Sequence, residues 1–347
     1  MATPVIDTNN PWPWLDPFTE NAQAFFNGRD DDSAALERCV VSGTATVLFG
    51  KSGLGKTSLL QAGLFPRLRK AGLLPVLVRL AHGVHSPPAA AQIRVRLYQE
   101  CIAQSLAIPG NRQLAPQLEA PEDRLWLDLH TIPVGLQDKN GRNWQPVLVL
   151  DQFEEIFTLG GQDATHQQRD FGALGDLIEN RIPNALESAI GADEDLLDFL
   201  LLDAQPYRVI LSLREDYLPN LERWCDRMPR LGPNRYRLLP MNEAQALDAI
   251  RLTGGDLVTP EDAERIVRFV ASQQEGPAVG MASGESADAS IEPALLSLLC
   301  SGLNLERQTA GAPRLDASDL EQRGGRIMER FYDDATKGVA AAAVAFL

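Results

Sequence analysis

The chain has 347 residues, 44% hydrophobic and 23% charged, enough for roughly two or three domains with buried cores. A net charge of −15 opposes broad nucleic-acid affinity, which needs a basic surface against phosphates. No apolar run reaches membrane-spanning length, no basic-then-apolar leader opens the chain, and Cys39, Cys101, Cys225 and Cys300 lack C-x-x-C spacing; a soluble, cytoplasmic protein with reduced thiols is expected.

The opening segment, rich in Pro, Asn and Trp (Asn10-Pro11-Trp12-Pro13-Trp14), cannot form a regular helix. Trp12 and Trp14 are expected to plug the sheet. An amphipathic stretch through Phe25 and Phe26 and a turn at Gly28-Arg29-Asp30 follow. Asp31–Val41 then reads as a helix with Leu36 and Val40 on one face.

The apolar run Thr46–Phe49 leads into Gly50-Lys51-Ser52-Gly53-Leu54-Gly55-Lys56-Thr57, a complete G-x-x-x-x-G-K-[ST] phosphate loop, and then a helix over Lys56–Arg69. Strand, loop and helix in that order aim backbone N–H groups and a helix N-terminus at an anion. Lys56 brings positive charge to the β/γ-phosphates, and the Thr57 hydroxyl is a Mg²⁺ ligand. Gly50, Ser52, Gly53, Leu54, Gly55, Lys56, Thr57 and Ser58 therefore form the expected nucleotide cradle. A chance glycine-rich turn would not carry all the fixed positions in these flanks.

Leu74–Leu80 reads as a strand and Ala89–Leu106 as a helix carrying Ile93, Leu97 and Ile102. His82 and His85 have no third ligand nearby and read as loop histidines. Pro146–Leu150 ends in Asp151, as a buried parallel strand would that presents a metal carboxylate at its C-terminal end. Glu154 and Glu155 follow; an acid at that distance can polarise a water at the γ-phosphate. The plainer reading is a pair of solvated acids at a helix start.

A long helical region comes next, then strands at Tyr207–Leu213 and Arg235–Leu239. Strands alternating with helices imply an α/β fold, a parallel sheet with helices on both faces. From Met241 the pattern is helical: Asn242–Leu252; a helix started by Thr259 and Pro260 and running through Val270; Ile291–Leu305; and Leu320–Tyr332. Gln274–Ser290 reads as a mobile Gly-, Ala- and Ser-rich loop. The Ala-rich end, Val339–Leu347, stops inside a helix, as a fragment would.

Together these segments resemble the STAND class of signal-transduction P-loop ATPases, specifically the bacterial novel STAND NTPase 1 group. The resemblance runs from Asn10 to the final helix. It rests on the entry segment Asn10–Phe18, the turn Phe25-Phe26-Asn27-Gly28-Arg29-Asp30, the loop continuation Ser58–Pro66, and Asp151-Gln152-Phe153-Glu154-Glu155. Leu213-Arg214-Glu215-Asp216-Tyr217, Tyr236–Met241 and Ile291-Glu292-Pro293-Ala294-Leu295-Leu296 complete it. Asn27 is one residue more than the pattern before Gly28, and of the winged-helix domain that follows the lid in that family only the opening portion is expected here.

The resemblance implies an AAA-like fold divided into an entry segment and adenine-side turn (1–45), a nucleotide-binding domain (46–240), a helical lid (241–315) and the start of a winged-helix-like domain (316–347). It places Gly28 and Arg29 on the adenine and phosphate side, and Pro293 against adenine. It makes Arg214 the sensor of the γ-phosphate, where a permanent charge in a fixed fork suits a phosphate oxygen. The plainer readings are an Arg214 ion pair with Glu215 or Asp216, and an ordinary first-turn helix proline at 293.

The function so implied is an ATP/ADP- and Mg²⁺-dependent, slowly hydrolysing switch, silent with ADP and self-associating with ATP, in bacterial signalling or phage defence. Its trigger is an unidentified protein or phage component. No sensor repeat is visible, and with about ten residues ahead of the entry motif no effector domain is expected there. The rival is a fast AAA-like motor using Arg223, Arg227 or Arg230 as a trans-acting finger. A scaffold that binds nucleotide only for stability would not need Asp151 and Glu155.

Overall fold

The computed structural model describes residues 5–83, 85–106, 120–131, 136–158, 164–274 and 290–336. They fall into two compact units, one within residues 32–51 and 64–238, the other within 1–31, 52–63 and 239–347.

The first unit is built on a sheet. Its strands are β1 (Ala45–Gly50), β2 (Leu73–Val78), β3 (Leu136–Gln137), β4 (Asn143–Leu150), β5 (Arg208–Arg214) and β6 (Arg235–Arg237). The order is β2-β4-β5-β1-β6, every neighbouring pair parallel, with β3 antiparallel on β4. The central strands are apolar at nearly every position because a parallel sheet covered on its faces leaves no solvent side. β5 lies between β1 and β4. Register pairs Gly50 with Arg214 and Leu150 with Leu211, so three strand ends converge on one edge of the sheet.

Helices α1 (Asp30–Ser42), α3 (Ala89–Ala103), α4 (Pro121–His130), α5 (Glu155–Thr158), α6 (Ala164–Glu179), α7 (Asn184–Ala192) and α8 (Leu218–Cys225) accompany the strands. In α1 the buried positions include Leu36 and Val40, as the spacing predicts. In α3 the buried stripe is Ile93, Leu97 and Cys101. Ile102, expected on that face, is exposed: a four-residue step from Leu97 lands on Cys101, one position earlier. The β3–β4 hairpin has no counterpart among the expected strands, whereas α5, α6 and α7 fall within the expected long helical region.

The second unit is helical. It contains α9 (Glu243–Gly254), α10 (Pro260–Gln274), α11 (Pro293–Ala310) and α12 (Leu320–Thr336), with a core including Ile250, Ile266, Val270, Leu299 and Leu303. Asn242 and Gln245 cap α9 reciprocally, and the Thr259 hydroxyl accepts the Asp262 N–H at the start of α10. Trp12 is buried in this helical core rather than in the sheet's; a Cβ on Gly254 would stand 2.9 Å from its ring. The reason lies in the neighbouring backbone. Trp14 donates its N–H to Ser301 Oγ and accepts from Ser297 Oγ, which lays the entry segment along α11. Most of the expected loop at 274–290 and all of the Ala-rich end at 339–347 lie outside the described residues.

Candidate functional site

The phosphate loop leaves β1 at Gly50 and enters α2, a continuous helix of Lys56–Ser58, a π-helical stretch Leu59–Leu64, and Phe65–Lys70. Gly53 and Gly55 hold φ of +77° and +82°, the left-handed region where a Cβ is costly. Lys56 and Thr57, both half-buried, are the first residues of the helix. The wide π stretch has a local cause: Pro66 lacks an N–H and would clash with a carbonyl four residues back in a regular helix.

Several loop carbonyls and side chains already have protein partners. Ala294, in the first turn of α11, donates its N–H to the Gly53 carbonyl at 3.2 Å. Arg29 is only 3% exposed and sends Nη2 to the carbonyls of Leu239, at 2.9 Å, and Leu54, at 3.5 Å. Its guanidinium thus braces the loop backbone. Gly28 holds φ +80°, and a Cβ there would lie 2.2 Å from the Gln245 carbonyl oxygen, so this turn admits only glycine. Ser58 Oγ accepts the Phe18 N–H at 3.1 Å. Pro293 is the first-turn residue of α11 after Glu292, as the plainer reading expects; Ser52 is exposed.

In the sheet unit, Asp151 follows β4 and is 4% exposed. Its N–H bonds the Val78 carbonyl, and its Oδ1 accepts the hydroxyl of Ser212 at 2.9 Å. Arg79 Nη2 stands 3.6 Å from Oδ2. Gln152 then takes φ +55°, unusual for a residue with a Cβ, which turns the chain sharply into α5.

Glu154 Oε2 accepts the backbone N–H of Arg214 at 3.2 Å, so this acid ties the segment after β4 to the end of β5. Glu155, the first residue of α5, is half-buried and adds a negative potential at His82; burial, the larger influence, pushes that imidazole below its ordinary value. Beneath this segment Phe153 and Phe157 pack with Phe171, which stacks on Trp224, while Phe157 stacks on Tyr217.

Arg214 closes β5. Its Nη2 pairs with Asp216 Oδ2 at 2.5 Å, its guanidinium sits 5.9 Å from the Tyr217 ring, and its Nε is buried without a partner. The ion pair of the plainer reading is therefore present. Of the three other arginines, Arg230 is held by Glu179, Gln205 and the Ile178 carbonyl, and Arg227 lies over Trp224.

Sequence reasoning missed Ser212 and Arg79. Ser212 left a signal: it is the one hydroxyl in the apolar strand Val209-Ile210-Leu211-Ser212-Leu213. Among the described residues no group of three or more His, Cys, Asp or Glu could hold a metal unaided. A single oriented carboxylate fits Mg²⁺, which keeps waters and takes one or two carboxylates plus substrate phosphates. No described helix is long and apolar enough to cross a membrane.

The sequence model of the novel STAND NTPase 1 family matches residues 11–275. Among solved structures, the ADP form of the Aeropyrum pernix ORC2 protein superposes with a TM-score of 0.54 at 13% identity, covering 92% of this chain and 78% of that one. A Walker-type ATPase of Pyrococcus abyssi gives 0.52 at 14%, covering 93% and 75%. The Aeropyrum pernix ORC1 protein in complex with DNA gives 0.51 at 11%, covering 91% and 69%. At such identities the likeness is one of fold: a P-loop ATPase sheet followed by a helical region. No protein with a curated description matches the chain.

Proposed function

We propose, from the premise that this chain belongs to the novel STAND NTPase 1 family, that it is an ATP-binding switch whose slow hydrolysis resets it. The observation that carries the reading is the hydrogen bond from Ala294 N–H to the Gly53 carbonyl. The last helix of the proposed lid, α11, hangs by its first turn on the phosphate loop itself. A ligand that reorients this loop changes what holds the first turn of α11.

The residue roles follow from their chemistry. Lys56 and the loop N–H groups bind the β/γ-phosphates, and the left-handed Gly53 and Gly55 let the backbone curl around them. Thr57 and Asp151 would hold Mg²⁺, which would supply positive charge against the charge developing on the phosphate oxygens. Glu155 orients and polarises the attacking water, while Glu154 stays bound to the Arg214 N–H. Arg214 exchanges Asp216 for the γ-phosphate; its buried, unpartnered Nε supports a second acceptor there. Gly28, Arg29 and Pro293 serve the nucleotide through the loop and the lid. We assign residues 46–240 to the nucleotide-binding domain and 241–315 to the lid.

In this reading the ADP form is silent, and a trigger permits exchange for ATP and self-association, in bacterial signalling or phage defence. Sedimentation of the protein with Mg²⁺ and either ADP or a non-hydrolysable ATP analogue tests it. A larger species with the analogue alone is expected. The same species in both states would remove the switch and favour an ATPase of constant assembly.

A further inference from the structure

We infer that Ser212 and Arg79 are positioning residues for the Asp151 carboxylate, Ser212 fixing its orientation and Arg79 acting as a counter-ion that a divalent cation must displace. The inference rests on the reading of Asp151 as the metal carboxylate. It concerns groups of the sheet unit only.

Asp151 is nearly buried, and a carboxylate taken from water needs its charge met. Ser212, wholly buried on β5, donates to Oδ1 at 2.9 Å, and its carbonyl accepts the Phe153 N–H at 2.8 Å. One serine therefore holds both the carboxylate and the backbone two residues beyond it. That fixes the side-chain torsions of Asp151 and settles which oxygen faces away from β5. On the other oxygen stands Arg79, 3.6 Å away and 53% exposed at its side chain. Arg79 follows β2 directly, on the far side of β4 from β5. A half-exposed guanidinium at that distance is a loosely held counter-ion, its own head still open to water. It is well placed to yield: divalent charge on the same oxygen would repel it.

The two residues thus predict opposite effects on metal-dependent binding. Loss of the Ser212 hydroxyl removes a hydrogen bond to a charged group, so Ser212→Ala should weaken Mg²⁺·ATP binding roughly tenfold or more. Loss of Arg79 removes a competitor, so Arg79→Ala should lower the half-saturating Mg²⁺ concentration about two- to fivefold. Neither should change affinity for ATP in EDTA. Both effects should vanish when Asp151→Asn is already present.

The experiment is isothermal titration of the wild type, Ser212→Ala, Arg79→Ala, Asp151→Asn and the two double variants with ATP, across a Mg²⁺ series and in EDTA. Arg79 is at the surface, so its variant keeps the test alive if the buried Ser212→Ala fails to fold. An unchanged Mg²⁺ requirement in Arg79→Ala, or equal losses with and without Mg²⁺, would overturn the inference. If Asp151→Asn itself leaves the Mg²⁺ dependence intact, the reading of Asp151 falls instead, which keeps the two failures distinct.

Discussion

Ala294 donates its backbone N–H to the carbonyl of Gly53 at 3.2 Å, and the two Cβ positions would stand 3.4 Å apart if Gly53 carried a side chain. That spacing is ordinary contact, so space does not demand glycine here; the φ of +77° does.

Gly53→Ala should therefore cost about 1–2 kcal/mol through backbone conformation; a loop that relaxes to escape this strain must restore it to hold phosphate, so ATP binding should weaken roughly tenfold. Gly141, also left-handed at φ +77° in the β3–β4 turn, supplies the control. Gly141→Ala should lower the melting temperature without altering ATP affinity. Equal ATP affinities for the two variants would show that the geometry at 53 has no bearing on nucleotide.

The acids after β4 should separate by role. Glu154 has its Oε2 on the Arg214 N–H, an acceptor role that a glutamine oxygen can keep. Glu154→Gln should leave hydrolysis within a few-fold, whereas Glu155→Gln should retain ATP binding and slow phosphate release by about 10²-fold or more. Phosphate release that stops only in Glu154→Gln would exchange the two roles.

For Arg214 the readout is a ratio. A γ-phosphate sensor loses a charge-assisted hydrogen bond on mutation, about 1.5–3 kcal/mol or one to two decades in affinity. The exposed pair with Asp216 is worth at most about 1 kcal/mol, equally in either nucleotide state. Arg214→Ala should thus weaken a non-hydrolysable ATP analogue far more than ADP. Equal weakening of both would leave Arg214 as a surface ion pair.

The buried His130 offers a test of stability against pH. Its ring stacks on Trp126, its Nε2 bonds Asn180 Oδ1 at 2.7 Å, and burial, opposed by the bonds to Asn180 and the Trp126 carbonyl, holds it below the ordinary 6.5. The unfolded chain then binds the proton more readily than the folded one. Its contribution is fully present above 6.5 and is lost as pH falls toward the lowered folded value. Between about pH 7.5 and about pH 5.5 the wild type should lose more melting temperature than His130→Gln. Parallel profiles would mean that His130 titrates alike in both states.

Much of the candidate site was legible because its chemistry is local in the chain. The phosphate loop needs glycines, a lysine and a threonine at fixed spacing between a strand and a helix, and all lie within one short run. Asp151 was legible as the end of an apolar strand. Arg29 was legible as part of a turn, yet its bonds to the Leu54 and Leu239 carbonyls depend on a fold that no spacing encodes. Ser212 and Arg79 meet Asp151 only through the strand order β2-β4-β5, which the sequence leaves open. Trp12 packs in the helical core and not against the sheet for a related reason: an aromatic residue ahead of the first helix says that it will be buried, not against what.

The most direct test of the switch is the nucleotide that the purified protein carries, measured by denaturation and chromatography alongside its steady-state ATP turnover. Near-stoichiometric ADP with turnover far below the ~10 s⁻¹ of a typical enzyme is the expected result. Protein that arrives without nucleotide and turns over ATP at about that typical rate would contradict it.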